Sequence, residues 1–546
     1  MAVKDKLNDS GHLLQADVLE NFIPSIGKTQ WQTVYESRVD PYHTWHVFSA
    51  LLEEHYLPSA LKRDSWDFRT GDGLPGFCES HEKGETVTTY IRYGHSTDIR
   101  PFVLLRKFHG AWPTYPEICE EFRHLHNLAH DTNRNVLLDF DRSGYEIEVV
   151  RLGNRRVEVN LRHLKQFLAA TRLNLAIYFD SVRYSNLSLA EVPEEFRKLE
   201  HRDGMSCYRL DVRECNFLPE FQSFSRLLGK VIILPPPLEE AGVWPFEKEQ
   251  NEEEVQFIVG VDEAGKPVSF TAKPDKLSNY FGANPGACHY LTPVFFRKEV
   301  LSKYYSDPDR YTVSDGYLEC LGLWSVQIDN NHSTHVVVFL GDLGRDLPYP
   351  ERLHWRQFNV PPAGEISKVN FRRSFLAQFT EPQAPDLVFR SEHSRFVKDW
   401  ATVHPWPLFL PFEKGDEHLI QTVRVPVTNS QSELDEQVLT LTKLLVDSLN
   451  EKAIEKEVGP GPEEEKGISK FERFLVAKGF SETEAAVRFL RDLQDLRSSG
   501  SGHRKGSRYQ KALSRLGVDP NRKPDVMSRL LEEATALLRA FRGHFL

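Results

Sequence analysis

The segment Ser430–Asn450, SQSELDEQVLTLTKLLVDSLN, decides how the chain is read. Ser430 and Glu433 have the spacing of a capping box, and Leu434, Val438, Leu441, Leu445 and Leu449 then recur on one helical face. From here to Leu546 every hydrophobic repeat keeps that period. After the solvated break VGPGPEEEKG comes a short helix with Ile468, Phe471 and Leu475, ending at Gly479. A second capping-box pair, Ser481 and Glu484, opens the next helix. Tyr509, Ala512, Leu513 and Leu516 mark another, and Pro524 starts the last, which carries Met527, Leu530, Leu531, Ala534, Leu538 and Phe541. Amphipathic helices of this kind pack as one bundle over residues 430–546.

Upstream the periodicity is mixed. TWHVFSALLEEHY, Thr44–Tyr56, reads as a helix, and TVTTYIRY, Thr86–Tyr93, as a strand. YEIEVVRLGNRRVEVN is a hairpin about Gly153-Asn154, followed by a helix and a strand in RHLKQFLAATRLNLAIYF. A similar order recurs from Arg297, with a long hairpin turning near Asn330, which suggests a diverged duplication of one unit. The best linker is ILPPPLEEAGVWPFEKEQNEEE, where Pro235-Pro236-Pro237 stiffens the backbone before an acidic run. VQFIVGVDEAGKPVSFTA then resumes as a hairpin turning at Asp262–Lys266. The expected fold class is α+β, a β-rich α+β body of two units at 1–245 and 246–429, followed by an all-α helical bundle at 430–546.

Composition bounds the function. A chain of 546 residues with 40% hydrophobic and 27% charged content is a multidomain globular protein. No apolar run is long enough to span a bilayer and the N-terminus is too polar for a signal peptide, so no membrane partner and a cytoplasmic location are expected. The six cysteines are scattered without a CxxC, which argues against disulfides or a thiolate zinc site. Neither GxxxxGK[ST] nor GxGxxG after a strand occurs, so no nucleotide cofactor, and no other cofactor or metal, is expected. The net charge of −11 hides an asymmetry: residues 488–546 hold 13 Lys/Arg against 6 Asp/Glu, a balance of +7 that leaves −18 for the remainder. A polyanion would meet the C-terminal end first.

Within that basic end one pair of side chains suggests chemistry. Ala486, Phe489, Leu490, Leu493 and Leu496 form an inward stripe that Arg497 continues, and Ser498-Ser499-Gly500-Ser501-Gly502 then ends the helix and hands His503 to a loop. Histidine titrates near neutral pH and can serve as base and then acid, while a guanidinium grips phosphate oxygens and keeps its charge. Arg504, Lys505, Arg508 and Lys511 are placed to hold flanking phosphates, with Tyr509 available to a ribose or base. Arg497 and His503, separated by five residues at the end of an amphipathic helix, resemble the Arg-x4–6-His motif of the HEPN superfamily. The resemblance covers the C-terminal fifth only. It implies a metal-independent endoribonuclease effector, paired as a homodimer, with the body as a sensor for an unknown trigger ligand or protein, as in anti-phage defence or toxin-type systems. The other expectation is a non-catalytic binding protein whose helical tail serves dimerisation or nucleic-acid binding.

Two further features weigh less. In PEICEEFRHLHNLAHD, read as one helix, His126 and His130 have the spacing of a zinc pair, and Arg123 precedes His130 by six residues; without HExxH a structural role is expected. The aromatics Trp355, Phe358, Phe371, Phe375, Phe379, Trp400, Trp406 and Phe409 are expected to fill a core rather than stack on bases.

Overall fold

A computed structural model describes residues 7–67, 75–82, 84–91, 98–242, 254–412, 415, 418–462, 465–498 and 506–546. The chain divides into two compact units, residues 1–141 with 145–251 and residues 142–144 with 252–546. An α+β body of several sheets precedes a C-terminal run of helices.

The first unit is built on an 11-stranded antiparallel sheet. At its centre Asn174–Ser185 lies between Ser223–Ile233 and His43–Leu52. The segment around Thr44 is therefore a strand, correcting the helix expected there. Its partners cover both edges and its residues from Val47 to Leu52 are all buried, so the apolar run does not alternate and its period mimics a buried helix. The hairpin Glu146–Leu152/Arg156–Asn160 forms as expected, and so does the following helix Leu161–Thr171. Asn160 caps that helix by accepting from the Arg162 N–H, and Leu164, Phe167 and Leu168 bury themselves in the same core as Phe102 and Phe122.

In the second unit Gln256–Val261 and Pro267–Thr271 make the expected hairpin. The long hairpin expected to turn near Asn330 is reduced to one antiparallel bridge between Asp329 and Val337 (2.7 and 3.2 Å): Trp324–Gln327 pairs back on Tyr317–Cys320, whereas His335–Phe339 joins Pro293–Arg297 in a different sheet. These three-stranded sheets differ from the large sheet of the first unit, so among the described residues a repeated architecture is not seen. Beneath them Trp355 is fully buried and donates to Tyr304 Oη (2.7 Å), which donates in turn to Glu351 (2.7 Å), also partnered by Lys303 (2.6 Å).

The helical part comprises Gln431–Thr442, Glu451–Val458, Gly467–Ala477, Thr483–Ser498, Ser507–Arg515 and Lys523–Phe545. All the stripe residues anticipated in Ser430–Asn450 are buried, as are those of the later helices. The caps differ from expectation. The Ser430 hydroxyl bonds Ser432 rather than the backbone, while the Glu433 carboxylate accepts from the N–H groups of Val427 and Thr428 (3.0 Å each). The later helix begins at Thr483, whose hydroxyl donates to the Phe480 carbonyl (2.7 Å). The core also draws in Phe389, Phe396, Trp400, Leu408, Phe409, Leu419 and Val423, from before residue 430. The helix Pro385–Val403 packs along Lys523–Phe545, with buried Glu392 accepting from Arg395 (3.0 Å) and Arg542 (3.3 Å).

Candidate functional site

Arg497 stands on the last turn of Thr483–Ser498, one residue beyond fully packed Leu496. Its guanidinium does not enter the core: the side chain is 38% exposed and Nη1 donates to both Asp447 oxygens (2.8 and 2.6 Å). A five-residue π-turn, Lys443–Asp447, makes that contact possible. It buries Leu444, Leu445 and Val446 and leaves Asp447 at the surface. Nε and Nη2 of Arg497 have no partner among the described residues, so three N–H donors on two nitrogens remain for an anion.

His503, Arg504 and Lys505 lie outside the described residues. Arg508 and Lys511 are exposed on Ser507–Arg515, the helix that follows. Tyr509 is not available to a base: its ring is 3% exposed in the bundle core and its hydroxyl accepts from Gln431 (3.2 Å). Its place in the apolar repeat with Ala512 and Leu513 was the signal for this.

The histidines of the first unit do not form the helical pair their spacing suggested. The helix is only Glu120–Leu125, and His130 sits on the strand Ala129–Asp131. His126 is spent on the His163 carbonyl (2.9 Å), and burial pushes its pKa down to about 4. Arg123 and His130 both line a 320 Å³ cleft, with Tyr115, Asn135 and Asn154. Among the described residues no group of three or more His, Cys, Asp or Glu is arranged to hold a metal, and no helix is long and apolar enough to cross a membrane. All six cysteines are free thiols.

The best-built polar site is one that motif reading missed. In the second unit a cavity of about 490 Å³ lies against the helices Leu340–Asp346 and Lys368–Phe375. Asp342, 6% exposed, accepts through Oδ1 from the Tyr290 hydroxyl and from Arg345 Nη2 (3.0 Å each). Burial raises its pKa above the ordinary carboxyl range, against the pull of these two partners. Two glycines fix it there. A Cβ on Gly341 would overlap the Tyr290 ring and one on Gly344 would overlap the Ala272 carbonyl, so only glycine lets this helix approach so closely. The visible signal was GDLGRD, a helix start holding two glycines that propensity alone would discourage. Across the cavity Gln327 donates to Ser374 Oγ (3.2 Å), which donates to Asn370 Oδ1 (2.7 Å), and Arg373 is clamped by both oxygens of Asp315 (3.0 and 2.7 Å).

No protein-family model, curated protein or solved structure matches the chain.

Proposed function

We propose that the chain is a conditional endoribonuclease whose working pair is Arg497 and His503, with the α+β body as its regulatory part. The observation that carries this reading is Arg497 itself, an arginine fixed at a helix end through one nitrogen, its other two nitrogens unspent among the described residues, beside a helix with exposed Arg508 and Lys511. In the reaction His503 takes the proton of a ribose 2′-OH, whose oxygen attacks the adjacent phosphorus. Arg497 stabilises the negative charge that develops on the phosphoryl oxygens. The histidinium then returns its proton to the departing 5′-oxygen. The P–O5′ bond breaks, leaving a 2′,3′-cyclic phosphate and a 5′-hydroxyl. DNA lacks the attacking hydroxyl and is not a substrate.

A single arginine and a single histidine make a sparse site, and pairing of two copies about a two-fold axis would double it. The Asp447 ion pair also suits a second reading, in which Arg497 is structural and the bundle only dimerises or binds nucleic acid. Expression of wild type, Arg497→Ala and His503→Ala in bacterial cells challenged with phage, scoring growth arrest and RNA decay, separates the two. The nuclease reading expects both variants to be folded and inert, whereas equal RNA decay in all three selects the binding protein. Lys511→Ala and Arg508→Ala should weaken RNA binding and flatten its salt dependence, each removing one phosphate contact.

A further inference from the structure

The cavity beside Asp342 carries a second function that holds whether or not the tail cleaves RNA. Its charges are already matched. Arg373 is clamped by Asp315 and also donates to the Thr380 carbonyl, and Arg345 is shared between Asp342 and Asp346. Asp329 accepts from the Ser367 N–H (2.8 Å) and hydroxyl (2.7 Å). Among the described residues both arginines on the wall are paired with carboxylates, and Asp329 and Asp342 line it as well, so a phosphate or other anion meets no unpaired cation and two carboxylates.

What the wall leaves unspent is hydrogen-bonding capacity, on one carboxylate oxygen and on neutral amides and a phenol. Asp342 Oδ2, Gln327 Oε1, Asn370 Nδ2 and the Tyr317 hydroxyl have no partner among the described residues. Two of these groups only accept, one only donates, and the phenol does either. Three rings, Tyr290, Tyr317 and Phe339, line the same space. A carboxylate and side-chain amides arrayed beside aromatic rings match the mixed donor and acceptor edge and the flat faces of a nucleobase. The volume falls in the range of about 300–1,000 Å³ typical of small-molecule sites. Buried Asp342 and Asn370 are preset by Gly341, Gly344 and the Ser374 bond, so little ordering is left to binding.

We infer that this cavity binds an uncharged nucleoside, its base edge read by Asp342, Gln327 and Asn370, and that it discriminates against the corresponding nucleotide.

Calorimetry and thermal-shift measurements on the full chain, with adenosine, guanosine, cytidine and uridine, their 5′-monophosphates and glucose as probes at about 1 mM, test this. One or more nucleosides should bind saturably and raise the melting temperature, with the monophosphate at least about tenfold weaker. Gln327→Leu and Asn370→Leu should each lower nucleoside affinity by about tenfold or more. Gln327→Met, which keeps the length without the amide, separates lost recognition from lost folding: it should melt like the wild type yet bind as poorly as Gln327→Leu. The inference is overturned if no nucleoside binds, if the monophosphates bind as tightly, if glucose alone binds, or if the Gln327→Met protein binds nucleoside like the wild type. Since the readout is binding rather than RNA cleavage, failure here leaves the nuclease reading standing, and the reverse holds too.

Discussion

Arg497 and Asp342 are held in opposite ways. Arg497 reaches out from a helix end and is 38% exposed, tied through one nitrogen to an aspartate that is 40% exposed. Asp342 sits inside a wall, its Oδ1 held by a tyrosine and an arginine on a helix that two glycines let pack closely. The first arrangement contributes little to stability and leaves capacity for a polyanion; the second is costly to assemble and suits a small ligand. Motif and preorganisation are thus separate properties, found here in different parts of one unit.

The largest expected effect tests how the arginine's scaffold is held up. Trp400→Ala, in the helix Pro385–Val403, should cost about 3–5 kcal/mol in chemical denaturation followed by helical circular dichroism, because a fully buried indole is removed from the bundle core. A loss below about 1 kcal/mol would mean that the bundle stands without that helix. Gly344→Ala should cost about 1–3 kcal/mol and abolish the Asp342 cavity's binding while leaving RNA cleavage per folded molecule unchanged. If it lowers cleavage equally, the two sites are not separate.

A pH effect follows next. Burial pushes the His393 pKa down to about 4, with its ring packed against Phe389 and Phe409. The unfolded chain therefore binds the extra proton first, and stability falls as the pH drops from about 6.5 towards 4, by about 2–3 kcal/mol from this residue. Above pH 7 the contribution is flat. His43 and His126, also lowered to about 4 by burial, add the same slope in the first unit. His393→Phe should flatten the dependence of the helical signal, and an unchanged slope would reject this assignment. Smallest in stability is Asp447→Asn, expected to change it by about 0–1 kcal/mol while slowing cleavage without weakening RNA binding, since it frees the guanidinium that Asp447 orients.

The helical region was legible because one period runs through it: Leu434 to Leu449 and Ala486 to Leu496 are buried as their spacing requires. The strand His43–Leu52 was not, because a strand covered on both sides loses its alternation. Tyr509 was misassigned by chemistry, a phenol in a basic run, although its position on the apolar stripe outweighs that. The aromatics divided. Trp355, Trp400 and Phe409 fill cores, while Phe371, Phe375 and Phe379 are exposed. Beyond the two glycines of GDLGRD the cavity was not legible, because Tyr290, Gln327, Asp342 and Asn370 come from four separate segments that only the fold assembles.

The central claim is that Arg497 and His503 cleave RNA through the 2′-hydroxyl, and the ends of the products test it most directly. Purified full-length protein, activated with extract from phage-challenged cells and incubated with labelled RNA in excess chelator, should release fragments ending in 2′,3′-cyclic phosphate. A matched RNA with a 2′-deoxy nucleotide at the cleaved position should stay intact, and so should all RNA given to His503→Ala. Fragments ending in 3′-hydroxyl, or cleavage that persists in the His503→Ala protein, would contradict the account.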